Sequence, residues 1–163
     1  MVEVLVENDR VRRILLLLLE VRVPRARKEV ELAVRIGNEP GALGRVLSTV
    51  ASAGINIHAY CSYSERQETV VLLVAENPLD AKRALEAVGF TCKANSIVLV
   101  GADDQVGGAA FLGARLGHAG IDILYSYASS SGSNQFFAVF KTVDDLKAVR
   151  VLEGTAAPRV QAA

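Results

Sequence analysis

The chain has 163 residues, 51% of them apolar, and a formal net charge of zero. This length and composition allow one ordinary domain or two small ones, and they predict a globular, soluble protein. No apolar run exceeds six residues, and the run Ile14 to Leu19, which ends at Glu20, is far shorter than the roughly 20 residues that cross a bilayer, which excludes a transmembrane helix.

Residues 1–28 are predicted to form an N-terminal extension. Two interpretations of it stand: a β-hairpin that turns near Asn8, or a leucine-rich helix that Asn8 caps and Pro24 ends. Acidic residues among its arginines argue against a signal peptide. Its net charge of +3 would make few phosphate contacts, so no nucleic acid partner is expected.

A regular pattern begins near residue 29. Apolar and polar residues alternate over residues 31–36, as in a half-buried strand. Turn-forming residues then occupy positions 37–41. The apolar residues that follow recur at helical spacing, and Gly54 is expected to end that helix with a positive φ. The pattern predicts a strand, a loop and an amphipathic helix.

A hairpin and a second helix complete this unit. Residues 55–63 and 69–75 are rich in β-formers and flank a polar stretch, which predicts the hairpin. Asn77 can cap the next helix, with Pro78 in its first turn, and residues 90–94 supply a short fourth strand. The residues expected on the inward face of this helix are Leu79, Ala81, Ala84, Leu85 and Val88.

The unit returns at an offset of 66 residues. Ala53–Ile57 has the sequence AGINI and Ala119–Ile123 has AGIDI, and the same offset carries Gly41 onto Gly107. A repeat of this length predicts two small domains, because it is too long for one turn of a solenoid. The apolar strand residues that correspond at this offset are Val70 with Phe136 and Val74 with Phe140.

The second copy is predicted over residues 96–153. It would contain a strand at 97–101, a helix at 108–119 and a hairpin formed by 121–128 and 135–141. Thr142 or Asp144 would cap a last helix that turns Leu146, Val149 and Leu152 inward.

No final strand is expected in the second copy. Either it lacks its fourth strand, or the N-terminal extension fills that edge of the sheet. Residues 154–163, which are small and polar, are predicted to be a flexible tail.

The segment Asn38-Glu39-Pro40-Gly41-Ala42-Leu43, followed after a helix by Ala53–Ile57, resembles the signature of an ACT domain. Residues 96–152 are similar to a second ACT unit, in which Gly107 and Ala119–Ile123 match while Val106 and Gly108-Ala109 depart from the pattern. The resemblance covers about residues 29–152. It implies an α+β fold with two ferredoxin-like βαββαβ units, at 29–95 and 96–153, each an antiparallel four-stranded sheet with two helices on one face.

The resemblance also implies a function. Tandem ACT proteins without a catalytic domain are regulatory or sensor modules, and they bind a small molecule, commonly a free amino acid, at interfaces between ACT units. The loop chemistry agrees, because free amides at a helix start favour a carboxylate, Gly41 permits close approach and Asn38 can donate or accept. Asn56 or Asp122 could accept the ligand ammonium from a neighbouring unit.

The two loops are not expected to bind equally. Asp103 and Asp104 would compete with a ligand carboxylate for the same amides, so the first loop is predicted to be the better anion site. Asn38 and Asp104 could instead be plain helix caps. The candidate ligand-binding residues are Asn38, Glu39, Pro40, Gly41, Ala42, Leu43, Asn56, Ile57, Asp104, Gln105, Gly107, Gly108, Asp122 and Ile123.

Catalysis and metal binding find little support. His58 and Cys61 are three residues apart on a strand, so they point to opposite faces and do not share a metal. The serines within residues 129–133 have no nearby base. We therefore predict no enzyme activity, no catalytic residue, no metal and no cofactor.

The sequence has two alternative functional interpretations. Residues 97–108 resemble the first turn of a Rossmann unit, but the fingerprint from Gly101 needs glycine where the chain has Asp103 and Val106. The other alternative is an assembly module without a ligand, because small sheets expose edges that pair with another sheet. Either way, a homodimer is the expected state.

The cysteine content bears on location. Cys61 and Cys92 are too few for a disulfide framework, and nothing marks an oxidising compartment. We expect a cytoplasmic protein that has no membrane partner.

Overall fold

The structure, a computed structural model, describes residues 24–130 and 134–153. The predictions for residues 1–23 and for the whole tail, residues 154–163, therefore lie outside the described residues. The helices and strands are, in chain order, β1 Arg25–Gly37, α1 Ala42–Ser52, β2 Ile57–Glu65, β3 Glu68–Ala75, α2 Pro78–Ala87, β4 Thr91–Asp103, α3 Gly108–His118, β5 Ile123–Ser130, β6 Gln135–Thr142 and α4 Asp145–Leu152.

These elements form two compact units. The first unit is residues 28–97, and the second contains residues 24–27, 98–130 and 134–153 among those described. The strand order is β2-β3-β1-β4 in the first unit and β1-β4-β6-β5 in the second. In the first unit β3 is antiparallel to β1 and β2, and in the second β6 is antiparallel to β4 and β5. The predicted α+β fold with two ferredoxin-like units is confirmed.

One face of each sheet packs against two helices. Alternate strand residues point to the same face, so every second residue of β1 and β3 enters the first core. Burial of these side chains is the main stabilising contribution, about 1.5–3 kcal/mol for each large one. The first core includes Leu32, Val34, Ile36, Val71, Leu73, Val46, Val50, Ala81 and Leu85.

The second core repeats this arrangement. Its members from the strands and helices include Val98, Val100, Phe136, Ala138, Phe140, Leu112, Leu116, Ala148 and Leu152. Ala26, near the start of β1, is also buried in this core. Within the described residues no strand follows α4, and the start of β1 packs with this unit instead.

Three residues predicted to face inward are exposed. Leu79 is 58% exposed, Val88 61% and Leu146 62%. The buried stripe of α2 is Ala81 and Leu85, and Leu79 lies two residues from Ala81, which is about 200° around a helix. Val88 lies beyond the end of α2. The prediction was wrong because these short helices bury only a narrow stripe.

The predicted strands at 90–94 and 97–101 are one strand, β4, because no glycine or proline interrupts residues 91–100. The helix ends follow the sequence signals more closely. The Asn77 side chain caps α2, Asp144 rather than Thr142 caps α4, and Gly54 follows α1 with a φ of 72°. Among the described residues, no helix is long and apolar enough to span a membrane.

The offset of the repeat changes at the second hairpin. Ser64 pairs with Thr69, whereas the equivalent Ser130 pairs with Phe136, so the offset after the hairpin is 67. The predicted matches of Val70 with Phe136 and of Val74 with Phe140 are therefore wrong. Val70 lies on the sheet face away from the helices and Phe136 lies in the helix-side core, because one extra loop residue reverses the facing of every later residue.

Candidate functional site

Both loops have the same backbone. In the first loop, residues 38–41, the Ala42 amide donates to the Glu39 carbonyl at 3.1 Å, and Gly41 has a φ of 85° and a ψ of −3°. These angles and this bond are those of a type II turn, which favours glycine at its third position and proline at its second. Pro40 and Gly41 therefore serve the turn.

The second loop, residues 104–107, repeats the turn. The Gly108 amide donates to the Gln105 carbonyl at 3.0 Å, and Gly107 has a φ of 86° and a ψ of −4°. Val106 stands where the first loop has proline, and the backbone is unchanged. The departure of the second loop from the ACT pattern is therefore a change of side chains and not of backbone.

Asn38 joins the first loop to the β2–β3 hairpin. Its Oδ1 accepts hydrogen bonds from the hydroxyls of Ser64 at 3.2 Å and Thr69 at 3.0 Å. Its backbone amide donates to the Gln67 carbonyl at 2.9 Å. Asn38 is thus not a helix cap, as one interpretation had it, but a link between two loops at the same end of the unit.

Asp104 makes the equivalent link with fewer partners. Its carboxylate accepts a hydrogen bond from the Ser130 hydroxyl, and its amide donates to the Asn134 carbonyl at 2.9 Å. The position of Thr69 is taken by Phe136, which cannot donate. The second loop therefore keeps a carboxylate where the first has an amide.

The helices that follow the two loops lack side-chain caps. Gly41 precedes α1 and Gly107 precedes α3, and no side chain accepts from the first-turn amides of either helix. By contrast, α2 and α4 are capped by Asn77 and Asp144. First-turn amides without a cap carry the positive end of the helix dipole and suit an anion.

Charge differs between the two helix starts. In the first unit, Arg45 forms an ion pair with Glu39 at the exposed surface. The second unit has Gln105 and Phe111 at those positions, and its Asp103 replaces Gly37. The first loop thus combines one cation with one anion, whereas the second combines two carboxylates with no cation at the matching position.

Arg35 lies at the same end of the first unit and is already paired. Its guanidinium is 3.0 Å from Glu68 and 3.5 Å from Glu65. The hydrogen bond to Glu68 is the main cause that raises the pKa of Arg35. Arg45 is therefore the cation nearest in sequence to the uncapped amides.

The remaining candidate residues lie at the opposite end of each unit. Asn56 and Ile57 begin β2, where the Asn56 carbonyl accepts from the Glu76 amide at 2.9 Å. Asp122 and Ile123 begin β5 in the same way. The length of β2 separates Asn56 from the first loop by about 25 Å. No single unit can place both ends of its candidate set against one small ligand.

An open depression of about 470 Å³ lies near Asn56, and Gly54, Ile55, Glu76, Asn77 and Pro78 line it.

A β-bulge interrupts the pairing of β2 between Ile57 and Ala59, and another interrupts β5 between Ile123 and Tyr125. Within the described residues, no group of three or more His, Cys, Asp or Glu side chains could hold a metal ion.

Sequence reasoning missed three side chains around the first loop. Ser64 and Thr69 hold Asn38, and Arg45 pairs with Glu39. Arg45 could have been noticed, because a cation near the start of a helix is unfavourable unless an anion lies close to it. The two hydroxyls gave no signal, since serine and threonine are common in hairpins.

Comparison with solved structures finds the same fold. A protein from Bacteroides thetaiotaomicron matches with a TM-score of 0.72 and 23% identity over 78% of this chain and 88% of that chain. The regulatory subunit of aspartate kinase from Thermus thermophilus matches with a TM-score of 0.59 and 14% identity over 78% of this chain and 93% of that chain. The regulatory subunit of aspartate kinase from Thermus flavus matches with a TM-score of 0.56 and 18% identity over 81% of this chain and 95% of that chain.

No protein of curated function matches the sequence significantly. The family model described as "ACT domain pair" matches residues 29–155. That range includes both type II turns, both uncapped helices and the whole of the repeat. The chain belongs to the ACT domain pair family.

Proposed function

We propose that the chain is a regulatory module that binds a free amino acid at its first loop and has no catalytic activity of its own. The observation that carries this proposal is the uncapped start of α1, which combines a glycine turn with Arg45 close by. Family membership supports the regulatory role. The proposed setting is the cytoplasm.

The ligand carboxylate would bind at the start of α1. The amides of Leu43 and Gly44, in the first turn, have no partner within an α-helix. Asn38 has its Oδ1 occupied by two hydroxyls, so its Nδ2 hydrogens are the groups that can face a ligand. All of these groups are donors, and they suit a carboxylate rather than an ammonium.

The ammonium acceptor would come from another unit. Asn56 and Asp122 are exposed and carry oxygen acceptors, but each lies at the far end of its own unit from the loop. A homodimer would bring such an oxygen to the first loop of a second chain. Ligand binding and dimerisation are then coupled, because the complete site exists only in the dimer.

The test is thermal unfolding of the full chain with each free amino acid in turn. A ligand at about 100 times its dissociation constant adds roughly 2.7 kcal/mol to the free energy of unfolding. We expect a shift with one amino acid or a few related ones. No shift with any of them at millimolar concentration would refute amino acid binding, and a shift with NAD alone would support the dinucleotide alternative.

A pair of substitutions locates the site. Asn38→Asp keeps an acceptor for Ser64 and Thr69 but copies the second loop by adding a charge and removing donors. We expect it to weaken binding at least about tenfold, since a charged hydrogen bond is worth about 1.5–3 kcal/mol. The matched control is Asp104→Asn, which should leave affinity unchanged or improve it. The opposite pattern would assign the ligand to the second loop.

A second candidate function is assembly without a ligand, and the edge strand β5 favours it. In the second unit β5 lies at the edge of the sheet, and its sequence, ILYSYASS, has no charged residue and no proline. Natural edge strands are usually protected by such residues, so an unprotected edge favours pairing with another chain. Ala128→Lys, at an exposed position, should then convert a dimer to a monomer in light scattering without changing the fold.

A further inference from the structure

The sheet of the second unit has a second face, away from its helices, that is also apolar. Leu99 of β4, Val139 of β6 and Tyr127 of β5 are directly paired in one row across three strands. The next row contains Gly101 and Phe137, whose ring lies 3.4 Å from where a Gly101 Cβ would be. Residues directly paired in a ladder point to the same face. We call these five residues the open face.

The centre of the open face is buried. Leu99 is 7% exposed and Val139 2%, although neither belongs to the core that the helices cover. Phe137, nearer the hairpin, is 45% exposed, so the covered area ends there. Among the described residues of this unit, both helices pack on the opposite face. Something else in the chain must therefore remove Leu99 and Val139 from water.

Three segments lie outside the described residues, and composition favours one of them as the cover of Leu99 and Val139. Residues 131–133 are Ser-Gly-Ser, with no large apolar side chain. Residues 154–163 contain one, Val160, and they continue the chain from α4, a helix that packs on the other face. The run Ile14–Leu19 contains six in succession, with arginines on both sides that can stay in water while the run is buried.

The short connection from Leu19 to the start of β1 also favours the run Ile14–Leu19. Pro24 is buried, and Ala26 is part of the second unit's core, so the chain reaches this unit at Pro24. Leu19 is five residues earlier, a span of up to about 17 Å. It can thus reach Leu99, which lies on β4, the strand next to β1. We propose that Ile14–Leu19 covers the open face as an intramolecular partner.

Thiol labelling tests this proposal in the full chain with Cys61 and Cys92 replaced by alanine. Val139→Cys places a thiol on the open face, and Ala138→Cys is the matched control, because Ala138 is also 2% exposed but faces the helices. Both thiols should be protected. When Leu15 to Leu19 are all replaced by serine, the Val139→Cys thiol should label at least about tenfold faster and the Ala138→Cys thiol should not. If the Val139→Cys thiol stays as well protected as the Ala138→Cys thiol in the serine variant, the proposal is overturned.

The serine variant could unfold, and both thiols would then become reactive. In that case a cross-linking experiment tests whether Ile14–Leu19 lies on the open face. Single cysteines at positions 15 to 19 are combined with Val139→Cys, with no leucine-to-serine changes, under mild oxidation. We expect at least one position to form a disulfide within a single chain, and none to do so with Ala138→Cys. Absence of any such disulfide overturns the proposal. A disulfide only between two chains would also overturn it, since the open face would then belong to a second copy.

Discussion

The Thr69 hydroxyl donates to the side-chain oxygen of Asn38 at 3.0 Å, and Thr69 itself is only 8% exposed. The bond fixes the first loop against the β2–β3 hairpin. It also decides which atoms of Asn38 remain for a ligand. The second unit has no such bond, because Phe136 stands at the corresponding strand position.

We predict that Asn38→Ala lowers the free energy of unfolding by about 1–3 kcal/mol, because it leaves a largely buried hydroxyl without its acceptor. Urea denaturation measures this loss. The double variant Asn38→Ala/Thr69→Val should lose less than the sum of the two single variants. Additive losses would show that the two side chains are not coupled.

Replacement by alanine should change stability in opposite directions at two glycines, one in the first loop and one in α1. Gly41 has a φ of 85°, whereas Gly44 lies within α1, and neither has an atom within 4 Å of an added Cβ. Gly41→Ala should destabilise by about 1–2 kcal/mol through backbone strain alone. Gly44→Ala should stabilise by about 0.5–1 kcal/mol, because alanine favours the helix. Thermal unfolding measures both changes in stability. If the two variants were both stabilised or both destabilised, the assigned turn would be contradicted.

Cys92 should make the first unit sensitive to alkali. Burial is the main cause that raises the pKa of its thiol above the ordinary 9.0, with a smaller contribution from Glu86. The thiol ionises first in the unfolded chain, so its contribution to stability is complete below pH 9 and is lost as the pH rises above it. Urea denaturation from pH 8 to 10.5 should show a steeper loss for the wild type than for Cys92→Ala. Parallel curves would contradict this prediction.

Asp145 should contribute more to the free energy of unfolding than its partner Lys141. The carboxylate is 8% exposed and accepts from the Thr142 amide at 3.1 Å, the Thr142 hydroxyl at 2.8 Å and Lys141 at 2.9 Å. Asp145→Ala leaves these donors unpaired and should cost about 3–5 kcal/mol. Lys141→Met should cost less, about 1–3 kcal/mol, because the two Thr142 bonds still hold the carboxylate. Similar losses for the two variants in denaturant titrations would show that the ion pair dominates.

The course of the chain was predictable where local signals agree. The alternation in β1, the Asn77-Pro78 helix start and the glycine turn at Gly41 each have one physical cause, and the structure has each feature where the sequence places it. The helix faces were less predictable. Leu79 and Leu146 are good core residues by type, but the packing of α2 and α4 uses alanine at the closest positions.

The candidate site was predictable only in part. The loop residues follow from the turn signature, but the partners of Asn38 depend on which hairpin hydroxyls reach it in three dimensions. The separation of Asn56 from the loop depends on topology, since both segments flank helix α1 in sequence yet lie at opposite ends of β2. Spacing along the chain does not report that distance.

The bulges in β2 and β5 depend on the backbone and not on one type of side chain. They fall at the same place in the two units, at His58 and Leu124, whose side chains have nothing in common. Each bulge places one extra residue opposite the partner strand. Without that extra residue the register would shift by one, and every residue beyond it would face the other side of the sheet. Both units therefore need an extra residue at this place, whatever its side chain is.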